Sequence, residues 1–207
     1  GVVLCDGAGS CAHSERAAQR MMEWIPDYLQ IAFDTLYALP PEEAAAAAAA
    51  GQAALEVLGM PPEECYCTLL FYAAHADGRW LCGHIGDGYI FRIRQDTAVV
   101  FSAPENGHAS NETYFLSEPG AAQHLRIRSG ELHEPYAELL TSDGGGDTLF
   151  DRQQQQPAPA VERLCDWLTE NDEKTVTEAL AHVIKEKMIP ATEDDVSVAI
   201  LYCSEDE

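Results

Sequence analysis

Val2-Val3-Leu4-Cys5-Asp6-Gly7-Ala8-Gly9-Ser10 opens the chain as an apolar β-type run that ends in an aspartate beside glycine. The same form returns in His84-Ile85-Gly86-Asp87-Gly88 and in Leu139-Leu140-Thr141-Ser142-Asp143-Gly144, and Thr192-Glu193-Asp194-Asp195 opens a final apolar strand. A carboxylate at a strand end, next to a residue without Cβ that lets backbone approach, is how a fold brings acidic groups to one edge to hold hard divalent cations. Four such ends in one sheet system point to one metal cluster.

The chain has 207 residues, of which 46% are apolar, enough for a full core in a single domain. A formal charge of -23 argues against nucleic acid and against an anionic membrane surface as partners. The seven cysteines lie mostly inside apolar runs (Cys5, Cys65, Cys67, Cys82, Cys203) and form no Cys-x-x-Cys pair. Buried reduced thiols account for them better than zinc does. With no long apolar segment and no export signal in view, the expectation is a soluble, cytoplasmic protein.

Spacing of three and four between apolar positions over residues 12–38 predicts an amphipathic helix, kinked or split at Pro26. Pro40-Pro41-Glu42-Glu43 starts a second helix through the alanine run to Leu58, and Gly59 ends it. Residues 66–74, 80–85, 89–94 and 98–102 alternate as strands between turn signals at Asp77-Gly78, Asp87-Gly88 and Gln95-Asp96-Thr97, an antiparallel meander. Residues 104–123 read as a functional loop or flap. Strands follow near 124–128 and 137–142, then a surface loop over 144–160. Helices over 160–170 and 175–188, a stop at Pro190 and a well-buried last strand over 196–203 complete the order. Helices segregated from strands imply an α+β fold, two sheets packed face to face with helices outside.

Gly7-Ala8-Gly9-Ser10-Cys11-Ala12 also fits a dinucleotide-binding turn, but Asp6 puts negative charge where a pyrophosphate would lie. Residues 13–40 continue as helix instead of returning to a second parallel strand, which also opposes that reading. Asp77-Gly78 is a plain turn.

Taken together, Asp-Gly-x-Gly near the start, Gly-Asp-Gly mid-chain, Ser-Asp-Gly-x-x-Asp after a late strand and Asp-Asp-x-Ser-Val before the last resemble the metal-dependent serine/threonine phosphatases of type 2C. The likeness spans residues 2–203 and is closest to a compact bacterial branch, which Asn111-Glu112-Thr113-Tyr114-Phe115-Leu116 in the flap also resembles. It implies a four-layer α-β-β-α sandwich of two mainly antiparallel sheets, and hydrolysis of phosphoserine or phosphothreonine on proteins.

By that resemblance Asp6 bridges two Mn2+ or Mg2+ ions and Gly7 ligates through its carbonyl. Asp143 and Asp194 match the other metal-binding aspartates, and with Asp6 they are the catalytic set. Asp195 stands where many relatives have asparagine, so either member of the Asp194-Asp195 pair can face the metal. Asp87 matches the aspartate of a third, weaker metal site, and Asp147 an acidic position that either belongs to that third site or stands behind the direct ligands. Asn111, Glu112 and Thr113 match the substrate flap. Where relatives carry a proton-donating histidine this chain has Ala8, and His13 is the candidate replacement, against plain surface as its other reading. Family members also carry a strand upstream of Asp6 with another acidic group and often an arginine for phosphate, which residues 1–207 do not contain. The implied partners are a phosphorylated protein and a cognate serine/threonine kinase. The alternative is a phosphatase-like module that binds phosphoprotein without turnover, which Ala8 favours and the retained aspartates oppose.

Overall fold

A computed structural model describes residues 1–51, 55, 59–95, 97–105 and 113–204, and of residues 50 and 165 the backbone alone. In chain order the elements begin with β1 (Val2–Leu4), α1 (Ser14–Ala38), α2 (Pro41–Ala48), β2 (Leu69–Ala74) and β3 (Arg79–Ile85). β4 (Tyr89–Arg94), β5 (Thr97–Ser102), β6 (Arg126–Glu131), β7 (Tyr136–Thr141), α3 (Asp143–Leu149), β8 (Phe150–Asp151) and β9 (Gln156–Pro157) follow. α4 (Pro159–Glu170), α5 (Glu173–Val183) and β10 (Val198–Cys203) complete the chain. These elements form two compact units, Gly1–Asp87 with Pro104–His133, and Gly88–Ala103 with Glu134–Glu207.

The first unit holds an antiparallel sheet of order β1-β2-β3-β6. Ala17, Ala18, Met21, Ile25, Leu29 and Leu36 of α1 recur at helical spacing, are all buried, and pack with Leu69, Phe71, Leu81 and Ile85 of the sheet. α1 is not split: it runs through Pro26 unbroken. An internal proline costs about 3 kcal/mol, and the buried Ile25 and Leu29 on either side of it offset that cost by packing. Arg79 fastens α1 to the β2–β3 turn, pairing with Asp34 at 2.8 Å and Asp77 at 2.7 Å while lying over the rings of Phe33 and Tyr37. α2 begins at Pro41 as expected, and the stretch that would carry it to Leu58 falls partly outside the described residues.

The second unit holds a sheet of order β10-β7-β4-β5. Val161 and Leu164 of α4 pack with Phe91, Ile93 and Leu139 of that sheet. Each unit is thus a mainly antiparallel sheet with helices against one face, and the chain is α+β.

Three expectations change. The strands from 66 to 102 are not one meander, because β3 pairs with β6 and β4 with β7. Asp87-Gly88 is therefore the passage from one sheet to the other and not a hairpin turn. Residues 144–160 are not a loop: α3 and the β8–β9 hairpin lie there. Glycine content suggested a loop, but Gly144, Gly145 and Gly146 are buried and their missing side chains make room for neighbours. Finally, β10 lies at a sheet edge with every residue only half buried. Its apolar composition reflects packing of Val198, Ile200 and Tyr202 on one face.

Among the described residues, no helix is long and apolar enough to cross a membrane. The cysteines described include Cys5, Cys11, Cys65 and Cys67, none of them in a disulfide.

Candidate active site

In the first unit the β1–β2 register, Leu4 opposite Leu70, continues past the strand end to the Gly7–Cys67 bridge. Asp6 therefore falls opposite Thr68. Its amide donates to Thr68 Oγ1 at 3.0 Å, and the Thr68 amide donates to the Asp6 carbonyl at 2.8 Å. Gly7 lies so close to the start of α1 that a Cβ there would meet the Ser14 carbonyl carbon at 2.7 Å, which is why no other residue fits. Ala8 donates to the Tyr66 carbonyl at 3.0 Å. Burial disfavours the thiolate form of the cysteines beside Asp6. Burial first, then the charges of Cys65 and Asp6, pushes the Cys67 thiol up to about 12, and burial also raises Cys5 well above the ordinary thiol value. The oxygen donors at this edge are the Asp6 carboxylate and the Gly7 carbonyl.

Asp87 follows Gly86, whose φ of +120° suits glycine and whose carbonyl accepts from the Glu105 amide at 3.1 Å. Glu105 is itself held by His124 Nδ1 at 3.3 Å and Arg126 Nε at 3.6 Å, and Arg126 reaches the ring of His84 at 2.9 Å. His84 is fully buried, and burial followed by the Arg126 charge lowers it to about 3, so it is neutral. His13 stands at the N-cap of α1 with Nε2 3.3 Å from Glu64 Oε2. In the flap, Asn111 and Glu112 lie outside the described residues. Thr113 is half buried, and the neighbouring Tyr114 stacks on His124.

The second unit gathers Asp143, Asp147, Asp194 and Asp195. Asp143 opens α3 and its Oδ1 accepts from the Gly144 amide at 2.7 Å. Ser142 ties this turn to the other acidic pair: its hydroxyl donates to the Asp195 carbonyl at 2.9 Å and accepts from the Ser197 amide at 3.0 Å. Asp147, one helical turn after Asp143, pairs with Arg152 at 2.7 Å and accepts from Thr192 Oγ1 at 3.2 Å. Thr192 Oγ1 also accepts from the Asp194 amide at 3.2 Å, and Asp194 Oδ1 accepts from the Asp195 amide at 2.9 Å. Both carboxylates of that pair belong to exposed residues.

The structure thus places the expected ligands in one group per unit, Asp6, Gly7 and Asp87 in the first and Asp143, Asp147, Asp194 and Asp195 in the second. Among the described residues, no three His, Cys, Asp or Glu side chains stand close enough to one another to hold a metal ion. Carboxylate and carbonyl oxygens are nonetheless the donors that Mn2+ and Mg2+ take, and Mg2+ is commonly held by one or two carboxylates with water completing its shell. The donor set fits such ions. Sequence reasoning missed the hydroxyls that hold the aspartates, Thr68, Ser142 and Thr192. No local signal marked Thr68 or Ser142, since each acts on a residue more than fifty positions away.

Solved structures share this fold. A bacterial serine phosphatase superposes with a TM-score of 0.66 at 13% identity, covering 99% of this chain and 86% of its own. The serine/threonine phosphatase PstP/Ppp of Mycobacterium tuberculosis gives 0.61 at 17% identity, covering 98% and 87%. The catalytic domain of PstP, solved in complex with 2 manganese ions, gives 0.61 at 19% identity, covering 97% and 85%. The α+β fold is therefore that of these phosphatases. The family model described as protein phosphatase 2C matches residues 1–185, and the chain belongs to that family of protein phosphatases. No curated protein sequence matches it.

Proposed function

We propose that this chain hydrolyses phosphoserine and phosphothreonine on proteins, with two Mn2+ or Mg2+ ions held by Asp6, Gly7, Asp143 and the Asp194-Asp195 pair, and a third at Asp87 and Asp147. One observation carries the reading: aspartates of the family pattern lie on backbone fixed by hydrogen bonds from hydroxyl side chains, Asp6 by Thr68 and Asp195 by Ser142. The two manganese ions of the PstP domain support the choice of metal. When bound, the ions supply Lewis acidity and an acidified water at neutral pH. The residues of the chain do the rest. Asp6 and Asp143 present carboxylate oxygens from hydrogen-bonded turns, the donors that would hold those ions. His13, its ring held by Glu64, is the proposed proton donor to the leaving serine or threonine oxygen.

A serine/threonine kinase is the class of enzyme that makes this substrate, and a bacterial cytoplasm with reduced thiols is the setting we assign. The test is phosphate release from a phosphothreonine peptide by protein stripped with chelator and then given Mn2+. Release that depends on Mn2+ supports the reading. Peptide binding without release under any metal would replace it with the non-catalytic module.

A further inference from the structure

Three segments of the first unit meet at one side chain. Extending the β1–β2 register puts Asp6 opposite Thr68, and extending the β2–β3 register, Leu69 opposite Ile85, puts Gly86 on its other side. Thr68 thus stands between the residue that ends the first strand and the glycine that precedes Asp87. Its side chain serves both neighbours with different atoms. Oγ1 accepts the Asp6 amide at 3.0 Å, while the γ-methyl occupies the space beside Gly86, where a Cβ would come within 2.5 Å of it. Thr68 is buried, so water does not compete for these contacts.

We propose that Thr68 is a positioning residue for metal binding, its hydroxyl fixing the main chain that carries the Asp6 carboxylate and its methyl seating the Gly86-Asp87 turn. This rests on the reading of Asp6 and Asp87 as metal ligands. Groups that orient a ligand without touching the ion matter because main chain free to shift must be ordered each time the ion binds. Removing such a group typically costs about 10- to 100-fold in metal affinity or activity. The two halves of the side chain are separable: Thr68→Val keeps the shape and the methyl but removes the acceptor, and Thr68→Ser keeps the acceptor but removes the methyl.

The experiment is calorimetric titration of metal-free protein with Mn2+, alongside melting curves without metal. For Thr68→Val the Mn2+ dissociation constant should rise about 10-fold or more. At the site that Asp6 forms, Thr68→Ser should bind Mn2+ as wild type does, since Asp6 is still held. A purely structural role would lower the melting temperature of both variants and leave the affinity of the folded protein alone. Equal Mn2+ affinity in Thr68→Val and wild type overturns the proposal. If Thr68→Val does not fold, Thr68→Ala removes the same acceptor without filling its place, and the same comparison with Thr68→Ser decides. Wild-type protein that binds no Mn2+ would sink the functional reading and this proposal with it, an outcome distinct from tight binding that ignores position 68.

Discussion

Ser142 holds Asp195 in place from the residue next to Asp143: one hydroxyl donates to the Asp195 carbonyl at 2.9 Å and accepts from the Ser197 amide at 3.0 Å. The Ser142 amide adds a third bond, to the Ser197 carbonyl at 3.1 Å. Two acidic segments more than fifty residues apart in sequence are therefore joined by a buried side chain rather than by their own charges.

Ser142→Ala removes the acceptor of one buried bond and the donor of another. Leaving a buried polar group unsatisfied costs about 1–3 kcal/mol, so the variant should unfold at lower urea concentration with an unchanged m-value. A midpoint equal to that of wild type would mean the clasp contributes nothing.

Gly144→Ala should destabilise, although alanine is ordinarily the better helix former by about 1 kcal/mol. A Cβ at Gly144 would lie 2.6 Å from the Asp195 carbonyl oxygen and 3.1 Å from that of Asp194. Overpacking of this kind costs about 1–3 kcal/mol and displaces backbone. A rise in melting temperature would show that α3 is not pressed against the Asp194-Asp195 turn.

Glu138 is fully buried on β7 and pairs with Arg92 of β4. Burial raises its carboxyl from 4.5 to about 7, against the lowering effect of Arg92. The folded state therefore binds this proton more tightly than the unfolded state, and its contribution to stability is lost as pH rises from about 4.5 through 7. His84, lowered to about 3, gives the opposite slope below pH 6.5, so a difference between variants is the clean measure. From pH 5 to pH 8 wild type should lose stability relative to Glu138→Gln. Parallel curves would show that Glu138 does not titrate in this range.

Much of the fold was legible because periodicity survives wherever one face is buried: Ala17, Met21, Ile25 and Leu29 announce α1, and the hairpin at Asp77-Gly78 joins β2 to β3 as read. Asp87-Gly88 misled because a sheet-to-sheet passage and a hairpin both need a tight turn, and only the pairing of β3 with β6 separates them. Gly144-Gly145-Gly146 misled because local composition cannot express a tertiary demand for absent side chains. The aspartates were legible as strand ends. Thr68 and Ser142 were not, since their role depends on residues more than fifty positions away.

Asp143→Asn tests the central claim most directly, because it removes one charge with little change of shape from the carboxylate that opens α3. The measurement is phosphate release from a phosphothreonine peptide in Mn2+, made on protein whose circular dichroism and melting curve match wild type. The expected result is activity reduced to that of metal-free wild-type protein. Full activity in the folded variant would contradict the assignment of Asp143 as a metal ligand and, with it, the account of this chain as a two-metal phosphatase.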